Sequence, residues 1–342
     1  MRLLKSPLFW IGLLVSLGAL FLAFRGLDWE EVGRALRDAN YLLFLPAAVV
    51  MFFSLYFRAI RWGVLFHPRT DLRVGALMGT MNVGYSVNNI LPLRVGELVR
   101  AYLVGEAEKV STAHALSTIV VERVLDVLAV VLMLVLLLPF IDVPAWAATP
   151  ALVAGVVFLI LAVLLATLSL ARRWAMTMVD KGARLLPARY QPRLRQAAES
   201  VMEGFGVLNK PAVLAQGVGW SFASWFCSVL MMFIVQRALG LRLGFEAAAF
   251  VVATTSLAML VPASPGYIGT FELVTIKGLE NVFDVSNSTA AGYALVQHAF
   301  LYLAPLIIAA VYLWRERQAW RQVRFWARQE APAEEAAGTR ST

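Results

Sequence analysis

The chain has 342 residues, 60% of them hydrophobic and only 15% charged, with a mean hydropathy of +0.71. An average soluble domain is roughly 45–50% apolar and about 25% charged. One soluble core could not hide this much apolar surface, so a soluble globular enzyme and a disordered chain are both excluded. The 30 Lys+Arg against 22 Asp+Glu give a net charge of +8, which loop orientation in a membrane explains before nucleic acid does. A single cysteine, Cys227, inside an apolar run rules out a disulfide framework and a Cys-based zinc site.

A membrane helix needs about 20 mostly apolar residues. Met1-Arg2 and Lys5 ahead of Ser6–Phe24 resemble a signal-peptide start. No small-residue cleavage site follows, so the run reads as an uncleaved first span. Tyr41–Phe57 is the second. Val74–Leu93 is long enough but carries Asn82, Ser86, Asn88 and Asn89, then Pro92. Val110–Ile141 is a span interrupted by Glu122, Arg123 and Asp126, and Ala145–Leu170 is an uninterrupted one. After a basic stretch come Pro211–Gln236, then Ala247–Phe271, which ends in Pro262-Ala-Ser-Pro265-Gly266-Tyr-Ile-Gly269, and finally Val285–Trp314. Proline and glycine at such density break a helix, and the freed backbone groups must be satisfied by protein or by a wet cavity.

Loop charge sets the orientation. Residues 171–210 hold eight Lys/Arg against three acids, and residues 58–73 hold Arg58, Arg61, Arg69 and Arg73 against Asp71 alone. Six arginines follow Trp314, whereas the 139–144 loop has Asp142 and no base, and residues 25–40 have four acids to three bases. With the basic segments in the cytoplasm, both termini are inside, and residues 74–109 and 245–284 must each turn back to the side they came from.

The expected fold is therefore an all-α polytopic membrane protein with six full spans and two re-entrant broken hairpins. Residues 41–138 and 211–314 read as the same helix–hairpin–helix plan in opposite topology, the architecture of many secondary transporters. Their tips match in kind: Leu91-Pro92-Leu-Arg94-Val-Gly96-Glu97 against Pro265-Gly266-Tyr-Ile-Gly269-Thr-Phe-Glu272. A linking span and basic loop at residues 145–210 separate the repeats; the loop is expected to form amphipathic helices at the anionic inner leaflet. Residues 1–328 make one transmembrane domain, and residues 329–342 a disordered Ala/Glu tail.

The run from Asn82 through Asn89-Ile-Leu91-Pro92-Leu-Arg94-Val-Gly96-Glu97-Leu-Val-Arg100, then Ser111 and Glu122-Arg123 with Asp126, resembles the lysylphosphatidylglycerol synthase transmembrane-region family, also called the flippase-like domain. Arg58, Arg61-Trp62, the Pro262-to-Glu272 segment and His298 also fit, so the resemblance covers about residues 6–315. It implies a membrane domain that moves lipids between leaflets. Those synthases carry a soluble aminoacyl-transferase domain, for which this sequence has no counterpart, so only the transport half of the likeness is expected to apply. The lipid itself does not transfer.

Charges within the spans carry the site expectations. Glu122, Arg123 and Asp126 facing lipid unpaired would cost on the order of 8–10 kcal/mol, so they must face protein or a wet cavity. One arrangement has Glu122 and Asp126 bracing the hairpin arginines Arg94 and Arg100 as a structural network. Arg94, at a broken tip beside Gly96, offers a guanidinium fork suited to phosphate; permanent pairing with Glu97 or Glu122 is the alternative. The expected headgroup ligands are Arg94, Arg123, Arg100, Arg61 and Asn89. Snorkelling to the interface stays open for Arg100, and positive-inside anchoring for Arg58 and Arg61, with Trp62 an interfacial aromatic. Asn82, Asn88 and Asn89 are expected to bond freed hairpin backbone or touch a headgroup. Glu97, Glu122, Asp126, Glu272 and His298 are candidates for charge balance or proton coupling, against capping or packing roles for Glu272 and His298. Lys277, five residues after Glu272, echoes the first hairpin. Pro92, Gly96, Pro265, Gly266 and Gly269 form the tips.

No GxSxG elbow, HExxH pair or Walker A loop is present, and the three histidines, His67, His114 and His298, lie in separate segments. The expected function is translocation of an anionic or phosphate-bearing lipid by alternating access in the cell inner membrane, with no cofactor, metal or nucleic acid. Its partners are membrane lipids and, in one reading, a lipid-synthesising enzyme. Two rivals stay open: an intramembrane headgroup transferase or hydrolase using Glu97 or Glu122 as base, and a non-transporting accessory subunit. The lipid, the energy source, the direction and the oligomeric state are left open by the sequence.

Overall fold

The computed structural model describes residues 7–91, 94–260 and 265–316, and all secondary structure among them is helical. The order is α1 Pro7–Phe24, α2 Trp29–Arg37, α3 Phe44–Val64, α4 Val74–Ile90, α5 Gly96–Glu108, α6 Thr112–Leu137, α7 Ala145–Leu170, α8 Arg172–Ala183, α9 Gln191–Phe205, α10 Pro211–Ala238, α11 Phe245–Ala258, α12 Thr270–Phe283 and α13 Asn287–Arg315. Four segments are long and apolar enough to cross a membrane: Tyr41–Val64, Ala145–Leu170, Pro211–Ala238 and Asn287–Arg315. Helix α6 has 26 residues but carries Glu122, Arg123 and Asp126. Helix α1 has 18 residues and no charge. The tail assigned to residues 329–342 lies outside the described residues.

The acidic segment at 25–40, read only as a loop, contains a nine-residue helix. The Asp28 carboxylate caps α2 by accepting from the backbone N–H groups of Glu30 and Glu31. Acidic residues in its first turn and Arg34 and Arg37 in its last complement the helix dipole. The Asp28 backbone and the Glu31 carboxylate also fasten it to the start of α13. The Asp28 N–H donates to the Ser288 hydroxyl at 2.9 Å, and Thr289 donates to Glu31 at 2.9 Å. Hydrogen bonds from Ser286 and Thr289 hold the Glu31 carboxyl below its ordinary range. Asp28→Ala is expected to cost about 1 kcal/mol through the lost cap, measured as a lower midpoint of thermal unfolding in detergent; an unchanged midpoint would show that α2 contributes nothing to the fold.

The segments expected to turn back are each two helices joined at a break: α4 and α5 around residues 91–95, α11 and α12 around residues 259–269. At 13 to 17 residues these helices are each shorter than a full span. At the first break Leu91 is extended and Arg94 has φ +55°, a left-handed conformation that is uncommon outside glycine. The Asn88 side chain accepts from the Gly96 N–H at 2.7 Å, capping the start of α5. Gly84 and Gly96 let α4 and α5 meet backbone to backbone: a Cβ on Gly96 would lie 1.9 Å from the Gly84 carbonyl oxygen. Among the described residues of the second break, Pro265–Tyr267 form a 3-10 turn, with Gly266, Tyr267 and Gly269 at positive φ. The Glu272 carboxylate reaches back to accept from the Gly269 N–H at 2.7 Å, satisfying the start of α12.

The packing has a regular plan. Helices α3 and α10 pack along each other through small residues, with Ser54 donating to the Ser224 carbonyl at 3.0 Å. Helix α3 packs on α4 as α10 packs on α11; α5 packs on α6 as α12 packs on α13. Crosswise, α4 lies against α13 and α11 lies against α6. Exchanging residues 41–138 with 211–314 therefore maps this set of contacts onto itself. Between the two units, α7 precedes α8 and α9, on which Met202 and Phe205 are buried, with α9 packed on α6. All eight Lys/Arg of residues 171–210 are exposed.

Candidate functional site: a charged cavity between two helix breaks

A cavity of about 250 Å³ lies where the two breaks meet. The first break supplies Asn88, Asn89, Arg94 and Glu97, the second Met259, Gly266 and Tyr267. Arg58 of α3, Arg123 and Asp126 of α6, Trp225 of α10 and His298 and Tyr302 of α13 close the polar part. Met51, Leu55, Val127, Val130, Met231 and Leu301 form apolar wall.

Behind the polar part sits a connected set of ion pairs. Glu122 is fully buried and accepts a two-point bond from Arg100, also fully buried, while Arg61 approaches it at 3.2 Å. Arg61, with no exposed surface, forms a bidentate pair with Asp126 and bonds the Ser221 hydroxyl at 3.1 Å. Arg123 Nε donates to Glu97 at 2.9 Å, and Asp126 has Arg123 and Arg58 each at 3.7 Å. Planar guanidinium forks matched to carboxylates are the geometry in which buried charges are tolerated.

Arg94 is held differently. Its Nε donates to the Tyr267 hydroxyl at 3.1 Å and another nitrogen donates to the Met259 carbonyl, while Glu97 is 3.9 Å away. Arg94 thus ties the first break to the second through neutral groups. A second tie is the Tyr302 hydroxyl, 3.5 Å from the Asn89 carbonyl. His298 joins α13 to the second break: Nε2 is 2.9 Å from the Gly266 carbonyl and Nδ1 meets the Glu272 carboxylate. Both ring nitrogens face acceptors, an arrangement satisfied with one proton between His298 and Glu272, so the pair is counted as neutral in sum.

The profile of the lysylphosphatidylglycerol synthase TM region matches residues 9–309, which is most of the chain. The chain belongs to that family. Among the relatives of this family member is a UPF0104 membrane protein of Methanothermobacter thermautotrophicus, 26% identical over 303 residues, covering 82% of this chain and 88% of the relative. A second UPF0104 membrane protein of the same organism is 24% identical over 304 residues, covering 83% and 86%. A third, the glycosyltransferase AglD of Haloferax volcanii, is 32% identical over 120 residues, 35% of this chain and 19% of that protein. No solved structure matches. Family and helices together make this a multi-pass membrane protein.

In this member of the synthase TM-region family, Arg94, Arg123, Asn89, Glu97, Asp126, His298 and Gly266 line the cavity. Arg61 and Arg100 do not. As headgroup ligands they are corrected by the geometry, because both are fully buried and saturated by Glu122 and Asp126. Snorkelling of Arg100 and anchoring of Arg61 fail for the same reason, whereas Arg58 is partly exposed and lines the cavity. Trp62, expected at the interface, is also fully buried, donating to Thr118 at 3.0 Å with Arg100 over its ring at 4.1 Å. Glu122 stands behind the cavity and Glu272 behind His298; Glu122 braces Arg100 and Arg61, and Arg94 is not its partner.

Asn88 caps hairpin backbone, whereas Asn82 bonds the Met78 carbonyl of its own helix. Lys277 pairs with Glu280 on the surface and has no place in the site. Gly96 packs on Gly84 and Gly269 on Ser16 and Leu20 of α1; Pro265 opens the turn, and Pro92 lies outside the described residues. Sequence reasoning assigned Arg58 to an interface and missed Trp225, Tyr267 and Tyr302. Arg58 was within reach, since a residue three before Arg61 on a helix shares its face.

Proposed function

We propose that this protein translocates an anionic, phosphate-bearing lipid between the leaflets of the cell inner membrane by alternating access, without chemistry on the lipid. The carrying observation is the position of the cavity between two helix breaks, with Arg58, Arg94 and Arg123 on its polar side. In this reading α4–α5 and α11–α12 are re-entrant hairpins, and the six longer helices α1, α3, α6, α7, α10 and α13 span the bilayer. The contact plan that survives exchange of the two halves supports inverted repeats, the design in which one unit rocks against the other around a fixed site. Both termini are cytoplasmic, and the exposed arginines of α8 and α9 lie against the anionic inner leaflet.

A 250 Å³ cavity falls below the usual range for holding a drug-sized ligand, so it takes a headgroup while the acyl chains stay in lipid. Arg94 bridges the two breaks, so a headgroup phosphate that displaces Tyr267 or Met259 from it loosens the contact between the units. That is how binding would be coupled to opening. The His298–Glu272 contact joins α13 to the start of α12 beside the second break, a position where a proton gradient would act. The glycosyltransferase name of the Haloferax relative is in keeping with a partner enzyme that modifies the transported molecule.

The test is reconstitution into liposomes carrying acyl-labelled fluorescent anionic phospholipids, followed by dithionite quenching of the outer leaflet. The wild type is expected to quench beyond the outer-leaflet half. Arg94→Gln, with normal thermal unfolding, is expected to slow the excess quenching about tenfold or more, as for a lost charge-assisted bond. Quenching equal to empty liposomes for all anionic lipids, or product lipids seen by mass spectrometry, would overturn the proposal.

A further inference from the structure

We infer that the headgroup taken by this cavity is a dianionic phosphate, a phosphomonoester or a diphosphate diester, and that Arg58 and Arg94 supply the charge that selects it. This rests on reading the cavity as a headgroup site and names the substrate class of that site.

The inference follows from a count of charges. Among the described residues, the connected ion pairs join five arginines, Arg58, Arg61, Arg94, Arg100 and Arg123, to three carboxylates, Glu97, Glu122 and Asp126. Residues 92–93 and 261–264, at the two breaks, are Pro-Leu and Val-Pro-Ala-Ser and add no charge. The neighbouring His298–Glu272 pair is neutral in sum. The cluster therefore carries two positive charges in excess.

Geometry says which arginines hold that excess. The three carboxylates are taken by close pairs: Glu122 by Arg100, Asp126 by Arg61, and Glu97 by Arg123 at 2.9 Å. Arg58 and Arg94 remain at 3.7 and 3.9 Å from their nearest carboxylates and are fixed by neutral partners. Arg58 stacks over the Trp225 ring at 4.5 Å; Arg94 donates to the Tyr267 hydroxyl and the Met259 carbonyl. Both line the cavity, whereas Arg61 and Arg100 are sealed away from it. Two excess charges in a low-dielectric site are costly until an anion neutralises them. A phosphodiester with one charge leaves one guanidinium unmatched. A headgroup bearing an added amine, such as an aminoacylated phosphatidylglycerol, raises the local positive charge and fits worst.

The experiment compares purified protein with short-chain phosphatidic acid, short-chain phosphatidylglycerol, short-chain phosphatidylcholine and soluble glycerol phosphate at pH 8, where a phosphomonoester is doubly charged. Binding is read as a ligand-dependent rise in unfolding temperature, and transport by dithionite quenching of the acyl-labelled long-chain counterparts. Phosphatidic acid is expected to bind about tenfold or more tighter than phosphatidylglycerol. The neutral-count variant Arg58→Gln/Arg94→Gln is expected to lose that preference, and Arg58→Lys/Arg94→Lys to keep most of it. The lysine pair also controls for folding, because it preserves the charge of the cluster.

Equal binding of phosphatidic acid and phosphatidylglycerol, with both still transported, would overturn the dianion inference and leave lipid translocation standing. Glycerol phosphate binding as tightly as phosphatidic acid, with no lipid transported, would assign the site to free phosphate esters and overturn both readings. Loss of all binding in the glutamine pair with the preference absent already in the wild type would also overturn the inference.

Discussion

Glu122→Ala is expected to destabilise the folded chain by about 3–5 kcal/mol, the cost of breaking a buried ion pair from one side. The carboxylate stands between two guanidiniums that have no exposed surface. Arg61 keeps Asp126 as a partner when Glu122 is removed, but Arg100 is left with the Trp62 ring at 4.1 Å and the Tyr85 ring at 5.9 Å. An aromatic face contributes about 2 kcal/mol to a desolvated cation, which does not replace a two-point carboxylate bond. Denaturant unfolding in detergent measures the effect. The companion double change Arg100→Met/Glu122→Leu removes both charges together and is expected to recover much of the loss, because the penalty lies in the stranded charge and not in the missing pair. If Glu122→Ala cost less than about 1 kcal/mol, the level of an exposed pair, the network could not be what holds α3, α5 and α6 together.

The same network explains which parts of the site could be read from sequence. Hydropathy and loop charge located both helix breaks, because Pro92 with Gly96 and Pro265 with Gly266 and Gly269 interrupt otherwise apolar runs. The expense of a charge at membrane depth marked Glu122, Arg123 and Asp126 as inward-facing before any geometry was known. Partner choice was not legible in the same way. Arg58, Arg61 and Trp62 follow an apolar run just where interfacial anchors occur, and nothing in composition separates a snorkelling arginine from one drawn inward by a carboxylate 65 residues away. The packing of α3 on α6 decides it, and that is tertiary information. Residues 25–40 failed for a simpler reason: a nine-residue helix is marginal in isolation and forms here because Asp28 and Glu31 dock it on α13. Tyr267 and Tyr302 carried no signal at all, since an aromatic residue in a span is ordinarily packing.

Gly266→Ala is expected to reduce translocation at least about tenfold, with a stability loss on the order of 1–3 kcal/mol from overpacking and left-handed strain. Gly266 has φ +66°, which disfavours any side chain, and it occupies the point where the two breaks face each other. A Cβ there would lie 1.1 Å from the Tyr302 hydroxyl and 3.1 Å from the Asn89 carbonyl. Tyr302 would have to swing away, releasing Asn89, and the Gly266 carbonyl that receives His298 would be displaced with it. One methyl group thus pushes on the first break, on α13 and on the His298 contacts at once. The liposome assay separates the causes. Gly266→Ala/Tyr302→Leu removes the steric conflict but leaves the backbone strain, so it is expected to regain stability while translocation stays low if Tyr302 and His298 must be in register for the breaks to move. Full recovery of translocation in the double variant would show that Gly266 supplies only space. Normal translocation in Gly266→Ala itself would mean that the two breaks do not work against each other, and the alternating-access reading of this cavity would fall.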